Sequence, residues 1–214
     1  MLVNALFILH SGFALTDTYT SVCCVQHALV YVYPMETPPL TPADWLNIAL
    51  RELRERGHGA LKAQSLAKAL NITRGSFYHH FDSLESFHAA VIKHWSELSS
   101  GQIIRTARET ADPQQALDDL LQKTFRSGET LERAVRAWST VEPSVAEAVA
   151  KVDAERIGAT EALLIQGGAS ASDARPRAQL LYWAAIGRLM MPFPAESTLS
   201  PAQLSGLARL MLLP

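Results

Sequence analysis

The sequence predicts an all-α fold, on three observations. From Trp45 onward, apolar residues recur three and four apart, the spacing that lines one face of a helix. The segments so marked are punctuated by helix starts and stops at Thr41-Pro42, Asn71, Asp112-Pro113, Gly128, Pro143 and Gly167-Gly168. After Met35 there is no alternating β-branched run, internal repeat or low-complexity tract. With 48% hydrophobic and 19% charged residues, the composition suits a soluble globular chain of one large or two modest domains. Cys23 and Cys24 are adjacent and offer neither a disulfide framework nor metal-ligand spacing, so a reducing cytoplasm is the expected compartment.

Residues 1–34 differ in character from the rest of the chain. They hold no Lys or Arg, and the first basic side chain of the whole chain is Arg51. A secretory signal needs a positive start before its apolar stretch, which is missing here. The apolar run Leu2 to Leu15 is interrupted by Asn4, His10 and Ser11 and is too short to span a bilayer, so no membrane association is expected. Met35 opens the polar, proline-bearing METPPLTPADW. We therefore expect translation to start at Met35, with residues 1–34 an upstream reading-frame extension or, failing that, a loosely ordered arm.

The first helix begins at Thr41, with Pro42 at its first position and Asp44 three residues on from Thr41, so that side chains meet the free N–H groups and a carboxylate meets the positive end of the helix dipole. Trp45, Ile48, Ala49 and Leu53 are its buried face, and Gly57 and Gly59 end it.

From Leu61 to Phe81 the chain reads as two short helices joined by a tight turn. Leu66, Ala67 and Leu70 form the apolar stripe of the first. Asn71 ends it, being the residue that after glycine best tolerates a left-handed backbone. Ile72 turns inward, Thr73 caps the second helix through its hydroxyl, and Phe77 and Phe81 form that helix's buried face. Between Ala60 and Phe81 stand Lys62, Lys68 and Arg74 and no acidic residue, although the whole chain carries a formal net charge of -2. Local charge, not overall charge, points to nucleic acid. Arg74 suits a bidentate contact to a guanine edge, and Gln64 can offer its amide to adenine. Thr73, Ser76, Tyr78 and His80 suit phosphate oxygens, which position rather than specify. Gly75 lets the helix approach the groove closely, and His79 can stack or donate. A metal shared by His79 and His80 is not expected, because adjacent residues on a helix point about 100° apart.

The run Ile72-Thr73-Arg74-Gly75-Ser76-Phe77-Tyr78-His79-His80-Phe81, with Leu66-Ala67 before it and Asp82-Ser83-Leu84-Glu85 after it, closely resembles the helix-turn-helix of TetR-family transcriptional regulators. The likeness covers roughly Trp45 to Trp95 in sequence detail and only helical layout beyond. The chain departs from the family's pattern at Lys62, usually Ser or Thr, at Asn71, usually Gly, and at Leu84, often Lys. The resemblance implies a DNA-binding domain over residues 35–97 and a C-terminal helical effector-binding and dimerisation domain over 98–214. It also implies double-stranded DNA with a pseudo-palindromic operator as partner, no cofactor, and a repressor released by a small-molecule effector. The alternative is a helical homodimeric interaction protein whose helix-turn-helix no longer reads DNA.

A long helix runs on from Ser83, with Leu84, Phe87, Val91, Trp95 and Leu98 on one face. Ser99-Ser100-Gly101 interrupts good helix formers, so a break or hinge is expected there. Asp112-Pro113 starts the next helix, with Leu117, Leu120, Leu121 and Phe125 inward; Leu131, Ala134, Val135 and Trp138 mark another. A long helix then runs from Pro143 to Gly167-Gly168.

The run Leu180 to Met191, LLYWAAIGRLMM, is apolar around most of its circumference, so it must be covered on more than one side. The chain's own core covers one side, and a second subunit is the simplest cover for the other. The C-terminal helix, Pro201 to Leu213, is the competing cover. A homodimer through a four-helix interface with the Pro143–Gln166 helix is therefore expected, with Leu181, Ala184, Ala185 and Arg188 at the contact. For a hydrophobic effector, the expected lining residues are Phe125, Trp138, Tyr182, Trp183 and Met190, with Arg136 or Arg188 available to an anionic group. No Ser-His-Asp or Cys-His constellation, glycine-rich phosphate loop or metal-ligand spacing is present, and catalysis is not expected.

Overall fold

The structure, a computed structural model, describes residues 22–25, 28–31, 40–109, 112–126, 130–192 and 198–213. The chain divides into two compact units, residues 1–39 and 40–214. In the first, β1 (Val22–Val25) and β2 (Ala28–Tyr31) form an antiparallel hairpin with Val22 opposite Tyr31 and Val25 opposite Ala28. The sequence reading assigned no strand to this stretch. The rest of residues 1–34 lies outside the described residues.

Among the described residues, the second unit is helical throughout. Helix α1 (Pro42–Arg56) opens with the expected reciprocal cap: the Asp44 N–H donates to the Thr41 hydroxyl at 3.3 Å, and the Thr41 N–H donates to the Asp44 carboxylate at 2.8 Å. The hydrogen bonds that the Thr41 N–H and hydroxyl donate to it hold the Asp44 carboxyl below its ordinary pKa. At the other end Gly57 takes φ 77°, a left-handed region open to glycine at little cost. A single 3-10 turn, His58–Ala60, leads into α2 (Ala63–Ala69).

The stop of α2 is built around Asn71, at φ 55°. The Ile72 N–H donates to the Ala67 carbonyl at 3.0 Å and the Asn71 N–H to the Lys68 carbonyl at 3.1 Å, the paired bonds of a Schellman cap. Helix α3 (Arg74–His80) comes directly after. Helix α4 (Leu84–Glu109) starts where the Ser86 N–H donates to the Ser83 hydroxyl, and it continues through Ser99-Ser100-Gly101 without the expected break. Backbone hydrogen bonding along one helix outweighs the roughly 1 kcal/mol penalty of a single internal glycine.

The remaining helices are α5 (Pro113–Arg126), α6 (Thr130–Ser139), α7 (Pro143–Gln166), α8 (Ala171–Met190) and α9 (Pro201–Met211). Two apolar cores organise them. One joins Trp45, Leu53, Leu66, Phe77, Phe81, Phe87, Val91 and Trp95 of the first four helices to Val135 and Trp138 of α6 and to Val145, Val149 and Val152 of α7. The other gathers Leu117, Leu121 and Phe125 of α5, Leu163 and Leu164 of α7, Leu181 of α8 and Leu204 of α9. Among the described residues, no helix is long and apolar enough to cross a membrane.

The left-handed backbone at residue 71 makes a direct test. Replacing Asn71 with Ala is expected to lower unfolding stability by about 1 kcal/mol, whereas Asn71→Gly leaves it unchanged or raised, both read from urea denaturation midpoints.

Candidate nucleic-acid interface and internal cavity

Helix α3 is seven residues long and is fixed by one side chain. Phe77 is wholly buried, edge-on to Trp45 at 5.5 Å between ring centroids and to Phe87 at 5.0 Å; Phe81 closes the cluster at 4.8 Å from Phe87. With that face anchored, Arg74, Gly75, Tyr78 and His79 are exposed, while Ser76 and His80 are half-buried. The His80 ring lies 6.4 Å from that of Trp45. The Arg74 guanidinium sits 5.8 Å from the centroid of the Tyr78 ring, a cation–π contact that holds the side chain along the outer face.

Thr73 occupies the expected cap position with extended backbone, but its hydroxyl makes no capping hydrogen bond. Cap position follows from local sequence; the hydroxyl's rotamer does not. The hydroxyl is left on an exposed residue beside the outer face. A β-carbon added at Gly75 would approach Thr73 Oγ1 no closer than 3.7 Å, so internal packing does not demand the glycine. Lys62 stands at the start of α2 without a side-chain cap, and it and Gln64 are exposed. Among the described residues, no three His, Cys, Asp or Glu side chains are placed to share a metal ion.

One contact that the sequence reading missed ties this domain to α6. His88 Nε2 lies 2.9 Å from the Leu61 carbonyl, at the entry to α2, and its ring meets Trp138 edge-on at 5.2 Å. His88 and Trp138 are far apart in sequence, and no local pattern pairs them.

The second feature is a cavity of about 540 Å³ between α4, α5, α6, α7 and α8. Trp95, Leu121, Phe125, Leu181 and Leu189 supply apolar wall, while Glu132, Arg156, Tyr182 and Arg188 bring polar groups to it. Of the residues chosen from sequence, Phe125, Tyr182 and Arg188 line the cavity. The others do not: Trp138 is buried in the first core, Trp183 and Met190 are 63% and 51% exposed, and Arg136 lies behind Tyr182. Helical periodicity identifies apolar side chains without saying which face meets a void.

A charged network runs from the wall into the protein behind it. Glu132, only 4% exposed, accepts from Arg136 Nε at 3.0 Å and from Arg156 Nη1 and Nη2 at 3.0 and 3.2 Å. Arg136 also donates to both oxygens of Asp153, at 3.2 and 2.7 Å, and to the Tyr182 hydroxyl at 2.7 Å. Tyr182 in turn donates to Asp153. Burial alone would lower the pKa of Arg136 and Arg156, but their carboxylate partners more than offset it and hold both above the ordinary value. Burial and the hydrogen bond to Asp153 push the Tyr182 hydroxyl up to about 12, against the opposing pull of Arg136.

A short helix with Arg74 on an acid-free outer face, set on a three-helix support and joined by a long helix to a helical domain with a cavity, has the layout of a helix-turn-helix regulator. The comparisons agree. Residues 46–91 match the family model for bacterial regulatory proteins of the tetR family. No curated protein matches the sequence. Among solved structures, a TetR transcriptional regulator from Legionella pneumophila is 17% identical with a TM-score of 0.61, over 82% of this chain and 97% of that one. A regulator from Saccharomonospora viridis in complex with choline is 15% identical, TM-score 0.65, over 80% and 94%. FadR from Bacillus subtilis in complex with stearoyl-CoA is 14% identical, TM-score 0.60, over 80% and 98%. At these identities the likeness establishes the shared fold.

The Tyr182 hydroxyl sets an alkaline limit on stability. Its pKa is raised on folding, so the folded chain holds this proton more tightly, and the contribution is complete below about pH 10, the ordinary tyrosine value, and lost as pH rises towards about 12. Comparing denaturation of the wild type and Tyr182→Phe across that window should show the wild type losing more stability than the variant. At neutral pH the variant should be less stable by about 1–3 kcal/mol, because Arg136 and Asp153 lose a buried partner.

Proposed function

We propose that this chain is a homodimeric, sequence-specific regulator of transcription acting in the cytoplasm, most simply a repressor released from its operator when a small molecule fills the cavity. The observation that carries the DNA-binding part is the outer face of α3, basic, free of carboxylates and held rigid through Phe77. In this reading Arg74 reads a base edge and Gln64 contacts adenine. Lys62, Thr73, Ser76, Tyr78 and His80 hold phosphates, Gly75 admits close approach, and His79 stacks or donates.

The dimer reading rests on α8. Leu180, Trp183, Ala184, Gly187 and Met190 form one exposed stripe at helical spacing. Leu181 and Ala185, chosen from sequence for the contact, are buried in the chain's own core, and Arg188 turns to donate to the Thr124 carbonyl at 3.2 Å. Only Ala184 of that set lies on the outer stripe. The exposed Ile165 of α7 adds apolar surface on the neighbouring helix. Pairing two copies would set two recognition helices one or more DNA turns apart, about 34–36 Å, on a pseudo-palindrome.

The effector reading rests on the cavity, whose size falls in the range of small-molecule sites. Two of the similar structures hold small molecules, choline and stearoyl-CoA. Helix α6 offers the coupling: it carries Glu132 at the cavity and Trp138 against His88, which contacts the Leu61 carbonyl. A ligand that fits one arrangement of α6 better than another shifts the spacing of the two readers.

Selecting bound sequences from random duplex DNA at near-physiological salt tests the reading. An enriched pseudo-palindrome is expected, and a folded dimer that enriches nothing, in the absence of added ligand, would overturn it. On the selected site, Arg74→Ala should cost about 1–3 kcal/mol and relax preference at one base position. Equal loss on all sequences would place Arg74 on phosphate instead. Trp183→Asp should shift the protein from dimer to monomer in sedimentation velocity with its helical circular dichroism intact.

A further inference from the structure

Two exposed side chains of α3 are coupled to each other before any DNA arrives. Arg74 and Tyr78 stand one helical turn apart, the spacing at which side chains on one face meet. The Arg74 guanidinium carbon lies 5.8 Å from the centroid of the Tyr78 ring. Among the described residues no carboxylate comes within ion-pair distance of Arg74, and the sequence from Ala60 to Phe81 holds none. Gly75 beside it has no side chain to offer. The ring is therefore the partner that the folded chain gives this cation.

Tyr78 is in turn referred to the interior. It is 51% exposed, but its ring stands edge-on to that of Phe77, at 5.2 Å and 84°, and Phe77 is wholly buried. The three side chains form a series from core to surface. The chemistry of the outer contact suits a base reader. An aromatic ring attracts a guanidinium through its face and takes none of the five N–H donors, which lie in the guanidinium plane and stay available to the paired acceptors of a guanine edge. A carboxylate partner would have taken two of those donors. A free arginine side chain also loses rotamer freedom when it binds, and holding it beforehand lowers that cost.

Resting on the DNA-binding reading above, we propose that Tyr78 is a positioning residue that determines specificity: its ring, not its hydroxyl, holds Arg74 in the orientation that reads a base. A phosphate contact by the hydroxyl adds affinity without preference.

The test uses the full chain, the duplex selected by the wild type, and its three single-base variants at the position where Arg74→Ala relaxes preference. Tyr78→Leu removes ring and hydroxyl, and Tyr78→Phe removes the hydroxyl alone. With Tyr78→Leu the preference at that position should fall about two- to five-fold, and this fall should vanish when Arg74 is already alanine. Tyr78→Phe should keep the preference, with any loss of affinity equal on all four duplexes. A preference that Tyr78→Phe loses, that Tyr78→Leu keeps, or that falls as much in the Arg74→Ala background would overturn the assignment while leaving the protein a DNA reader. So would an Arg74→Ala loss equal on all sequences. A wild type that enriches no duplex would instead remove the DNA-binding reading itself, and this assignment with it. Nuclear magnetic resonance checks the contact without DNA: the ring should shift the Arg74 δ-methylene protons upfield in the wild type and in Tyr78→Phe. Unshifted protons in the wild type would overturn the proposal at its base. These two proteins decide the matter even if Tyr78→Leu does not fold.

Discussion

A helix of seven residues does not persist in water, because nucleating it costs more than its few backbone hydrogen bonds return. What α3 offers on its outer side therefore depends on the packing of Phe77 against Trp45, Phe81 and Phe87. Aromatic pairs in edge-to-face contact are each worth about 0.5–1.5 kcal/mol beyond the area they bury, and they fix ring orientation as well as distance. The rings come from three helices and the turn that ends α3, so α3 inherits its position from α1 and α4. Arg74, resting on Tyr78, is held along that positioned surface instead of sweeping through solvent.

The same helix that supplies Phe87 supplies Trp95, which belongs to the first core and also to the cavity wall. One continuous helix thus joins the cavity wall to the aromatic support of α3. The second link is α6. Its buried carboxylate is tolerable only because two guanidiniums engage both oxygens, since removing either partner would leave a charge without water or counter-charge. Arg136 serves Glu132, Asp153 and Tyr182 at once, which locks α6 to α7 and α8 by direction as well as by contact.

What could be read from the sequence was what local chemistry decides. Asn71 as a left-handed stop, Thr41 with Asp44 as a reciprocal cap, and Phe77 with Phe81 as the inner face each depend on neighbours within a few residues, and each is found as read. Thr73 marks the limit of that scale, since its position is local and its hydroxyl's partner is not. In α8 the sequence shows that two faces need cover, but Leu181 and Ala185 on one face and Trp183 and Ala184 on the other are equivalent until the fold chooses which packs inward. The cavity draws on five helices, so its lining is a property of tertiary packing. Glu132 did leave a signal: it falls three residues before Val135 and six before Trp138, a carboxylate within an apolar stripe, with Arg136 one turn on. Such a residue is seldom buried without a partner, and the pairing was open to recognition.

The division of the cores adds the last step. Helix α6 and the first half of α7 pack with the DNA-binding helices, while α5, the end of α7, α8 and α9 form the other core. The cavity is walled from both sides of that seam, by Trp95 from one core and by Leu121, Phe125 and Leu181 from the other. Side chains lining a void lose dispersion contacts on that side, so the packing at the seam is least complete there. Because α7 is one continuous helix shared by both cores, no loop of α7 separates them. Helices α4 and α6 border the same seam and carry Phe87 and His88 on one side and Trp138 on the other to the support of α3.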